Sequence, residues 1–451
     1  MYSPDASIRT LDFSITMTIP PEARSNAQDL LDFIDASPSP WHAVATIESR
    51  LQDHGFSRLH EEDRWSLKAN AKHYVVRGDS SLICFMTGRK PLDETGFRIF
   101  GAHTDSPGLR LKPKAPHAAE NMSRLGVEIY GGPILATFAD RDLSLAGRIN
   151  IRHENAAQTR LIHFQRPLVR LPNLAIHMNR NVNEEGLKLD KQTELPLLLG
   201  NLVDALPPRE QFITLLARET DVAAADIVNW ELNVYDTQKG VFWGADEEFI
   251  ANSQLDNLAS CHAGLSALLR TQEPEQTCVC GFFDHEEIGS ESAKGADGSF
   301  LSDISERIAR ASSLDWEGYK QALARSFFIS ADMAHAYQPN FPSAYEPIHQ
   351  IRVNAGPAIK TNVNQRYATD SLSEAKFISL CEMASVPFQQ YVHRTDLGCG
   401  STIGPMISAR IGVHSVDVGS PMWAMHSIRE SAGVLDVTYM IQVLRMFFGC
   451  L

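Results

Sequence analysis

Two almost continuously apolar runs, residues 278–283 and 326–330, constrain the fold of this 451-residue chain most strongly. Each has the length of a strand and is far too short to cross a membrane. A strand that lacks apolar/polar alternation has to be covered on both faces, which is typical of a sheet packed between helices. Apolar residues at helical spacing, such as Leu258, Cys261 and Leu265, provide such cover. The sequence therefore predicts an α/β domain built on a helix-covered mixed sheet.

The helix and strand patterns occupy two separate stretches, and the chain is longer than the roughly 250–300 residues at which single cores stop growing. We expect one catalytic domain made of residues 25–106 and 250–451, with a β-rich domain inserted over 107–249. Residues 1–24 lack the apolar core of a signal peptide and are expected to form a flexible arm. The first helix is expected to begin at Ser25, a suitable capping residue.

Charge and cysteine usage exclude several kinds of partner. Acidic residues number 55 against 41 basic ones, a formal net charge of −14, so nucleic acid and anionic membranes are poor partners. The seven cysteines form no CxxC pair and lie mostly among apolar neighbours, which favours free buried thiols over disulfides or a thiolate metal site. Free thiols are typical of a reducing compartment, so we expect a cytoplasmic protein.

Four predicted strands each end in a group of acids and histidines, and a fifth group opens the helix that follows the insertion. The groups contain, in chain order, His103 with Asp105, Asp256, Glu286 with Glu287, Asp332 with His335, and His426. In open α/β sheets, ligands bind at the carboxyl ends of strands. Taken singly, His103 is more typical of a hydrogen-bonded loop histidine and Asp256 of a helix N-cap. Five such groups together favour a functional site.

Histidine nitrogen and carboxylate oxygen are ligands that zinc and similar divalent cations take. Two cations bring four positive charges, and Asp256, Glu287 and Asp332 supply three negative ones, so about one positive charge remains to favour an anionic transition state. Without metal, the crowded acids are expected to repel one another and to have raised pKa values. The adjacent Glu286 and Glu287 indicate a division of roles, in which one carboxylate binds metal and the other takes a proton from water.

Six segments of the chain carry a close resemblance to a known family. They are GAHTDSPGLRLKP, NSQLDNLAS, FFDHEEIGSESAKGADGSF, SADMAHAYQPN, IKTNVNQRYATD and WAMHSIRE. Together they resemble the M18 metallopeptidases, the aspartyl aminopeptidases, from about residue 25 onward. The resemblance implies the fold of the two-zinc exopeptidases, with two zinc ions per subunit. The implied ligands are His103 and Asp332 for one zinc, Glu287 and His426 for the other, and Asp256 bridging both.

The resemblance also assigns roles around the metals. Glu286 would act as general base and then as proton donor to the leaving amine, and Asp105 would orient His103. The positions that would contact substrate are His335, Lys360, Tyr367 and, from the neighbouring subunit, His177. The inserted domain would mediate dimerisation, and dimers would assemble into a dodecamer.

Without the resemblance, two of these residues have ordinary interpretations. His177 follows Leu174, Ala175 and Ile176 as a strand-end histidine would, and Lys360 is equally consistent with a surface lysine.

The function expected from the sequence is a two-zinc aminopeptidase that hydrolyses N-terminal Asp or Glu from peptides. One alternative is a related two-metal exopeptidase or deacylase with another specificity, which a buried Lys360 would disfavour. Another is a catalytically silent, self-assembling scaffold, which the presence of all five ligands and Glu286 disfavours. The expected partners are peptides with an acidic N-terminus and further copies of the same chain.

Overall fold

The structure, a computed structural model, describes residues 18–153, 156–202 and 206–449. Most of the predicted N-terminal arm, residues 1–17, lies outside the described residues. The helices are α1 (Pro21–Asp35), α2 (Pro40–Asp53), α3 (Leu92–Thr95), α4 (Val182–Glu185), α5 (Pro208–Thr220), α6 (Leu255–Leu269), α7 (Phe300–Ala311), α8 (Trp316–Ala324), α9 (Ser371–Ala384), α10 (Ile403–Ile411) and α11 (Val434–Phe447). Within the described ranges, no helix combines the length and apolar character needed to span a bilayer.

The strands belong to three separate sheets. In chain order they are β1 (Ser57–Arg58), β2 (Lys72–Arg77), β3 (Ser81–Met86), β4 (Phe97–His103), β5 (Gly108–Ala119), β6 (Met122–Tyr130), β7 (Leu143–His153), β8 (Ala156–His163), β9 (Leu197–Asn201), β10 (Ile227–Asp236), β11 (Val241–Trp243), β12 (Phe249–Asn252), β13 (Thr277–Phe283), β14 (Phe327–Ala331), β15 (Ala334–His335), β16 (Ala358–Thr361), β17 (Gln389–Val392), β18 (His414–Gly419), β19 (Pro421–Trp423) and β20 (Glu430–Gly433).

The largest sheet has the strand order β1-β2-β3-β13-β4-β14-β18-β16-β17. Its middle strands β13, β4, β14 and β18 run parallel to one another. The register pairs Phe283 with His103 and Ala331 with Val418, so neighbouring strands end at nearly the same level. Because the carboxyl ends of parallel strands share one edge, the polar groups that follow them leave the sheet side by side.

Both faces of this sheet are covered by helices, which confirms the predicted α/β fold class. Along β13, Cys280 and Phe282 point into a core shared with α1, α2, α6 and α11, whereas Val279 and Phe283 point into a core shared with α7, α8 and α10. Alternate side chains of one strand thus serve two cores, and this explains why the strand shows no polar alternation in sequence.

The second sheet has the order β8-β7-β10-β5-β6-β9 and takes all its strands from the interval between Gly108 and Asp236. It is antiparallel and has a core of its own, to which α5 contributes Phe212 packed edge-on against Trp230 at 5.3 Å between ring centres. Strands β5 to β10 all lie within residues 107–249, the stretch that the sequence predicts to be β-rich.

The third sheet, in the order β11-β12-β20-β19-β15, joins the return of the insertion to the C-terminal part of the chain. Strand β12 pairs with β20, and Asn252 lies opposite Glu430. This pairing places the start of α6 beside the loop before β20, which matters for the site described below.

The first helix begins at Pro21 rather than at the predicted Ser25, which lies inside α1. Proline is favoured in the first turn because its missing N–H would have no acceptor there, and the Arg24 N–H closes the turn on the Pro20 carbonyl at 3.1 Å. Residues Pro21 to Arg24 of the predicted arm are therefore helical.

Candidate metal centre

Three candidate ligands follow directly from the edge of the central sheet. His103 is the last residue of β4, Glu287 lies in the short turn after β13, and Asp332 follows β14. The other two adjoin the third sheet. Asp256 lies in the first turn of α6, which follows β12, and His426 lies in the loop between β19 and β20. The topology of two sheets therefore brings together five residues that are far apart in sequence.

The side chains of these residues converge. The Nε2 atom of His103 lies 3.5 Å from Oδ1 of Asp256 and 3.6 Å from Oδ1 of Asp332. The Nε2 atom of His426 lies 3.4 Å from Oδ2 of Asp256 and 3.4 Å from Oε1 of Glu287. Asp256 thus presents one carboxylate oxygen to each histidine, which is the arrangement expected of a ligand shared between two cations.

Three carboxylate oxygens in this group are buried and accept no hydrogen bond from the described residues. They are Oδ1 of Asp256, Oε1 of Glu287 and Oδ1 of Asp332. A buried carboxylate oxygen without a donor is costly, so it requires a cation or water. His103, Asp256 and Glu287 each contribute one ligand atom to a group in which all atoms lie within 4.8 Å of one another. A metal ion can span this spacing. The donor set and its unpaired oxygens fit a zinc site.

Both histidines are oriented through their other ring nitrogen. The Nδ1 atom of His103 lies 3.0 Å from the backbone carbonyl of Asp105, and Nδ1 of His426 lies 3.1 Å from that of Gly132. A carbonyl only accepts, so each Nδ1 carries a proton, and Nε2 is the nitrogen of each ring that is left to bind a metal ion. Gly132 belongs to the segment after β6, and nothing in its sequence context predicts this contact.

Asp105 is fully buried behind His103. Its carboxylate accepts hydrogen bonds from the backbone N–H groups of Glu286 and Glu287, both at 3.1 Å, and from the Tyr130 hydroxyl at 2.7 Å. Its Oδ1 also lies 3.4 Å from Nδ1 of His103. Asp105 therefore connects a histidine of one strand with the turn that carries the two glutamates.

The ionisation of the acids depends on their neighbours. Burial, with the charge of Asp256, raises the pKa of Glu287 well above its ordinary value, and burial raises the pKa of Glu286 to about 8. Burial acts in the same direction on Asp256, but His103 and His426 outweigh it and lower the pKa of that carboxyl. The expected rise in pKa is thus right for Glu287. It is wrong for Asp256, because each oxygen of the Asp256 carboxylate faces a histidine.

Sequence reasoning alone misses Glu430, the first residue of β20. Its carboxylate is buried and accepts from the backbone N–H of Asp256 at 3.0 Å and from that of His426 at 2.7 Å. It therefore fixes the main chain at two candidate ligands. The only signal in the sequence is its position four residues after His426, which a single sequence does not distinguish from a surface acid.

Lys360, on β16, lies next to the candidate ligands and is only 2% exposed. Its ammonium donates to the Met333 carbonyl at 3.1 Å, lies 3.5 Å from Oδ2 of Asp332 and sits 5.1 Å from the centre of the Tyr367 ring. Burial, assisted by the charge of Lys360, lowers the pKa of His335 to about 4, so this imidazole is neutral near pH 7. Lys360, Tyr367 and His335 therefore lie on the side of the metal centre where Asp332 is.

His177 lies elsewhere. It occupies an exposed turn between β8 and β9, and the neighbouring Leu174, Ile176 and Met178 are 66%, 48% and 76% exposed. The expectation that His177 ends a strand is therefore wrong, because the apolar residues before it are not paired in a sheet. Apolar side chains left this exposed are typical of surfaces that contact another molecule.

Comparison with known proteins agrees with this geometry. The family of aminopeptidase I zinc metalloproteases (M18) matches residues 33–448. A relative named probable M18 family aminopeptidase 2, from Pseudomonas paraeruginosa (strain DSM 24068 / PA7), is 45% identical over 424 residues, or 94% of this chain and 97% of that protein.

Two solved structures show the same fold. Ape4, solved in complex with Nbr1, matches with a TM-score of 0.92 and 37% identity over 95% of this chain and 86% of that chain. The S. cerevisiae mApe1 dodecamer matches with a TM-score of 0.83 and 26% identity over 95% and 97% of the two chains. The chain therefore belongs to the M18 family of zinc metallopeptidases and is a metallo-aminopeptidase.

Proposed function

We propose that this aminopeptidase uses two zinc ions per subunit to release N-terminal aspartate or glutamate from peptides. One zinc would be held by His103 and Asp332 and the other by Glu287 and His426, with Asp256 shared. The unpaired buried oxygens of the three carboxylates support this ligand set, because each faces a histidine nitrogen.

When bound, zinc supplies Lewis-acid polarisation of the scissile carbonyl and of the attacking water. Glu286 is the general base. Its Oε2 lies 3.9 Å from Nε2 of His103, next to the ligands, and its side chain is 13% exposed, so a water can reach it. Glu286 takes a proton from that water and returns it to the departing amine.

The buried ammonium of Lys360 is the observation that carries the preference for acidic residues. A lysine side chain is rarely buried without an anionic or polar partner. Lys360 has three N–H donors, and the structure gives it one carbonyl acceptor and one carboxylate at 3.5 Å. The remaining donor can bind the side-chain carboxylate of an N-terminal Asp or Glu. Neutral His335 can donate a further hydrogen bond to the same group.

A substrate panel tests this proposal. The zinc-loaded enzyme is given otherwise identical peptides that begin with Asp, Glu, Leu or N-acetyl-Asp, and bound zinc is measured on the same samples. We expect turnover of the Asp or Glu peptide only. Lys360→Met should lower kcat/KM for the acidic peptide at least about 10²-fold, because a buried carboxylate is left unpaired, while its zinc content stays the same. Lys360→Arg is the matched control and should retain part of the activity.

Each other outcome supports a different function. Equal turnover of Leu and Asp peptides would indicate a less selective exopeptidase, and release of acetate would indicate a deacylase. No turnover with two bound zinc ions would indicate a scaffold. Equal activity of the wild type and Lys360→Met on the Asp peptide would contradict the assigned role of Lys360.

The assembly and the compartment belong to the same proposal. The mApe1 relative was solved as a dodecamer, and we infer a homo-oligomer, built from dimers through residues 107–249, for this chain. The exposed loop around His177 would then reach the active site of a partner subunit. The free cysteines of the described residues are consistent with a cytoplasmic enzyme.

Subunit mixing tests the shared site. Glu286→Gln and His177→Phe are each purified, mixed under conditions that exchange subunits, and assayed on the Asp peptide. Partial recovery of activity is expected, because some interfaces then pair an intact Glu286 with an intact His177. If exchange is verified by mass and no activity returns, His177 does not act across the interface.

A further inference from the structure

One segment of the inserted sheet contacts both halves of the metal centre within its own subunit. This segment, which we call the 130–134 brace, begins at Tyr130, the last residue of β6. The carbonyl of Gly132 accepts from Nδ1 of His426 at 3.1 Å, and the N–H of Ile134 donates to the carbonyl of His426 at 2.9 Å. At the other end of the brace, the Tyr130 hydroxyl donates to Asp105 at 2.7 Å.

The contact between Tyr130 and Asp105 reaches two candidate ligands. The same Oδ2 of Asp105 that accepts from Tyr130 also accepts from the backbone N–H of Glu287, and Oδ1 faces His103. A carboxylate held from three directions has little freedom to rotate. The hydroxyl of Tyr130 therefore restrains Asp105, and Asp105 restrains His103 and the turn that carries Glu287.

The brace itself is held in place by packing. The guanidinium of Arg110 stacks on the Tyr130 ring at 3.5 Å from its centre, and Tyr130 is buried. Gly131 has φ +65°, and a Cβ there would lie 3.1 Å from Cβ of Glu287, so the chain passes this ligand closely. Asp105 lies between the Tyr130 hydroxyl and His103, so Tyr130 reaches this candidate ligand through Asp105.

We propose that the 130–134 brace is a positioning element of the metal centre, in which Tyr130 acts through Asp105 to set the affinity for zinc. The inserted domain would then support the metal site of its own subunit, in addition to any contact with a partner. This inference rests on the proposed ligand set. Groups that orient metal ligands typically contribute about 10–100-fold to metal affinity or activity.

Removal of one hydroxyl tests the inference. Tyr130→Phe keeps the ring and its contact with Arg110. The matched control is Tyr235→Phe, which removes a hydroxyl from the same sheet that donates to the Phe164 carbonyl and touches none of the ligands. Zinc affinity is measured on metal-free protein by competition with a chelator, and the visible spectrum of the cobalt-substituted protein reports ligand geometry. Tyr130→Phe should bind zinc about 10–100-fold more weakly and alter the cobalt spectrum, and Tyr235→Phe should do neither.

A double-mutant cycle with Asp105→Asn tests the route. If Tyr130 acts through Asp105, the double variant should bind zinc no more weakly than Asp105→Asn alone. Additive losses, or wild-type zinc affinity in a folded Tyr130→Phe, would overturn the inference. Asp256→Asn serves as a separate reference. If it retained both zinc ions, the ligand set itself would be wrong, whereas its loss of zinc beside an unaffected Tyr130→Phe would refute the brace alone.

Discussion

Two buried polar clusters lie on opposite sides of the turn after β13, and they differ in how completely their groups are paired. The first is the metal centre, with three buried carboxylate oxygens that have no hydrogen-bond donor among the described residues. The second, which we call the Lys294 cluster, consists of Ser80, Asp284 and Lys294. Its ammonium donates to Ser80 at 2.7 Å and to Asp284 at 2.9 Å, and Ser80 donates to Asp284 at 2.6 Å.

The difference separates a ligand site from a structural one. In the Lys294 cluster, the Lys294 ammonium neutralises the Asp284 carboxylate and the Ser80 hydroxyl also donates to it, so this carboxylate needs no added ion. In the metal centre, Asp256, Glu287 and Asp332 each keep one buried oxygen without a donor among the described residues, although Lys360 lies near the other oxygen of Asp332. Both clusters contain buried carboxylates, and the pairing of those carboxylates shows which cluster requires a cation.

The largest effect is expected where the metal centre does its chemistry. Glu286→Gln should lower kcat about 10²–10⁴-fold or more, because an amide cannot accept the proton of the attacking water and Glu286 is the group proposed for both proton transfers. Bound zinc should stay at the wild-type level, since Glu286 is not among the proposed ligands. Turnover of an Asp peptide and metal content are measured on the same preparation.

Glu291→Gln is the matched control for that variant, because Glu291 is exposed and lies five residues further along the same segment. It should leave turnover unchanged. Near-normal turnover of Glu286→Gln would mean that another group is the base.

The next effect is expected in the Lys294 cluster, where a substitution should lower the stability of the fold. Lys294→Met leaves Asp284 buried without its cation, which should lower the free energy of unfolding by about 3–5 kcal/mol. Urea unfolding in the presence of a chelator measures this loss without the contribution of zinc binding. The double variant Lys294→Met/Asp284→Asn should recover part of it, because the unpaired charge is gone. If Lys294→Met lost zinc without losing stability, the two clusters would not be separate in function.

The fold class and the candidate ligands can be predicted from the sequence for a common physical reason. Buried parallel strands have to be apolar along their whole length, and the chain has to become polar where each strand leaves the core. The strand ends at His103, Glu287 and Asp332 are therefore visible as abrupt changes of composition. Family resemblance then supplied the roles of Lys360 and His177, which composition leaves open.

The rest depends on contacts that leave no local pattern. The carbonyl of Gly132 and the hydroxyl of Tyr130 reach the metal centre only because the inserted sheet packs against it. Glu430 is recognisable only from the pairing of β12 with β20. His177 was expected at a strand end on the strength of three apolar residues, yet those residues are exposed, which a periodic pattern does not reveal.

A third polar group extends the comparison to pH. His42 is buried where α2 meets the inserted sheet, its Nδ1 lies 2.7 Å from the Ser39 hydroxyl, and its ring packs against His163 at 5.5 Å. Burial, assisted by His163, lowers the pKa of His42 to about 4. Because the unfolded chain takes up this proton near pH 6.5, stability is present above that pH and is lost as the pH falls towards 4.

The expected contribution of His42 is at most about 3 kcal/mol at neutral pH. It is measured as the difference in unfolding free energy between the wild type and His42→Gln across pH 4 to 7. The wild type should lose more stability than the variant over this range. His54→Gln, at an exposed histidine, is the control and should parallel the wild type. Parallel curves for His42→Gln and the wild type would mean that His42 is not held neutral by the fold.

The smallest effect is expected at Glu430, and it concerns the affinity for zinc. Glu430 lies within the metal centre, yet both its oxygens accept backbone N–H groups, as in a structural cluster. In Glu430→Gln, one of these backbone N–H groups would face the side-chain NH2 group, which donates and cannot accept a hydrogen bond. The main chain at Asp256 or His426 should then shift, and zinc should bind about tenfold more weakly, while kcat at saturating zinc stays close to that of the wild type.

The control for Glu430→Gln is Glu346→Gln. Glu346 also accepts two backbone N–H groups, from Ile348 at 2.8 Å and His349 at 2.6 Å, but its carboxylate is far more exposed. The contacts of Glu346 are with Ile348 and His349 and not with any candidate ligand, so zinc affinity should not change. If both variants bound zinc like the wild type, Glu430 would be a structural group that happens to adjoin the metals. If kcat fell while zinc affinity was kept, Glu430 would act on the reaction itself, and the distinction between paired and unpaired acids would no longer separate structure from chemistry at this site.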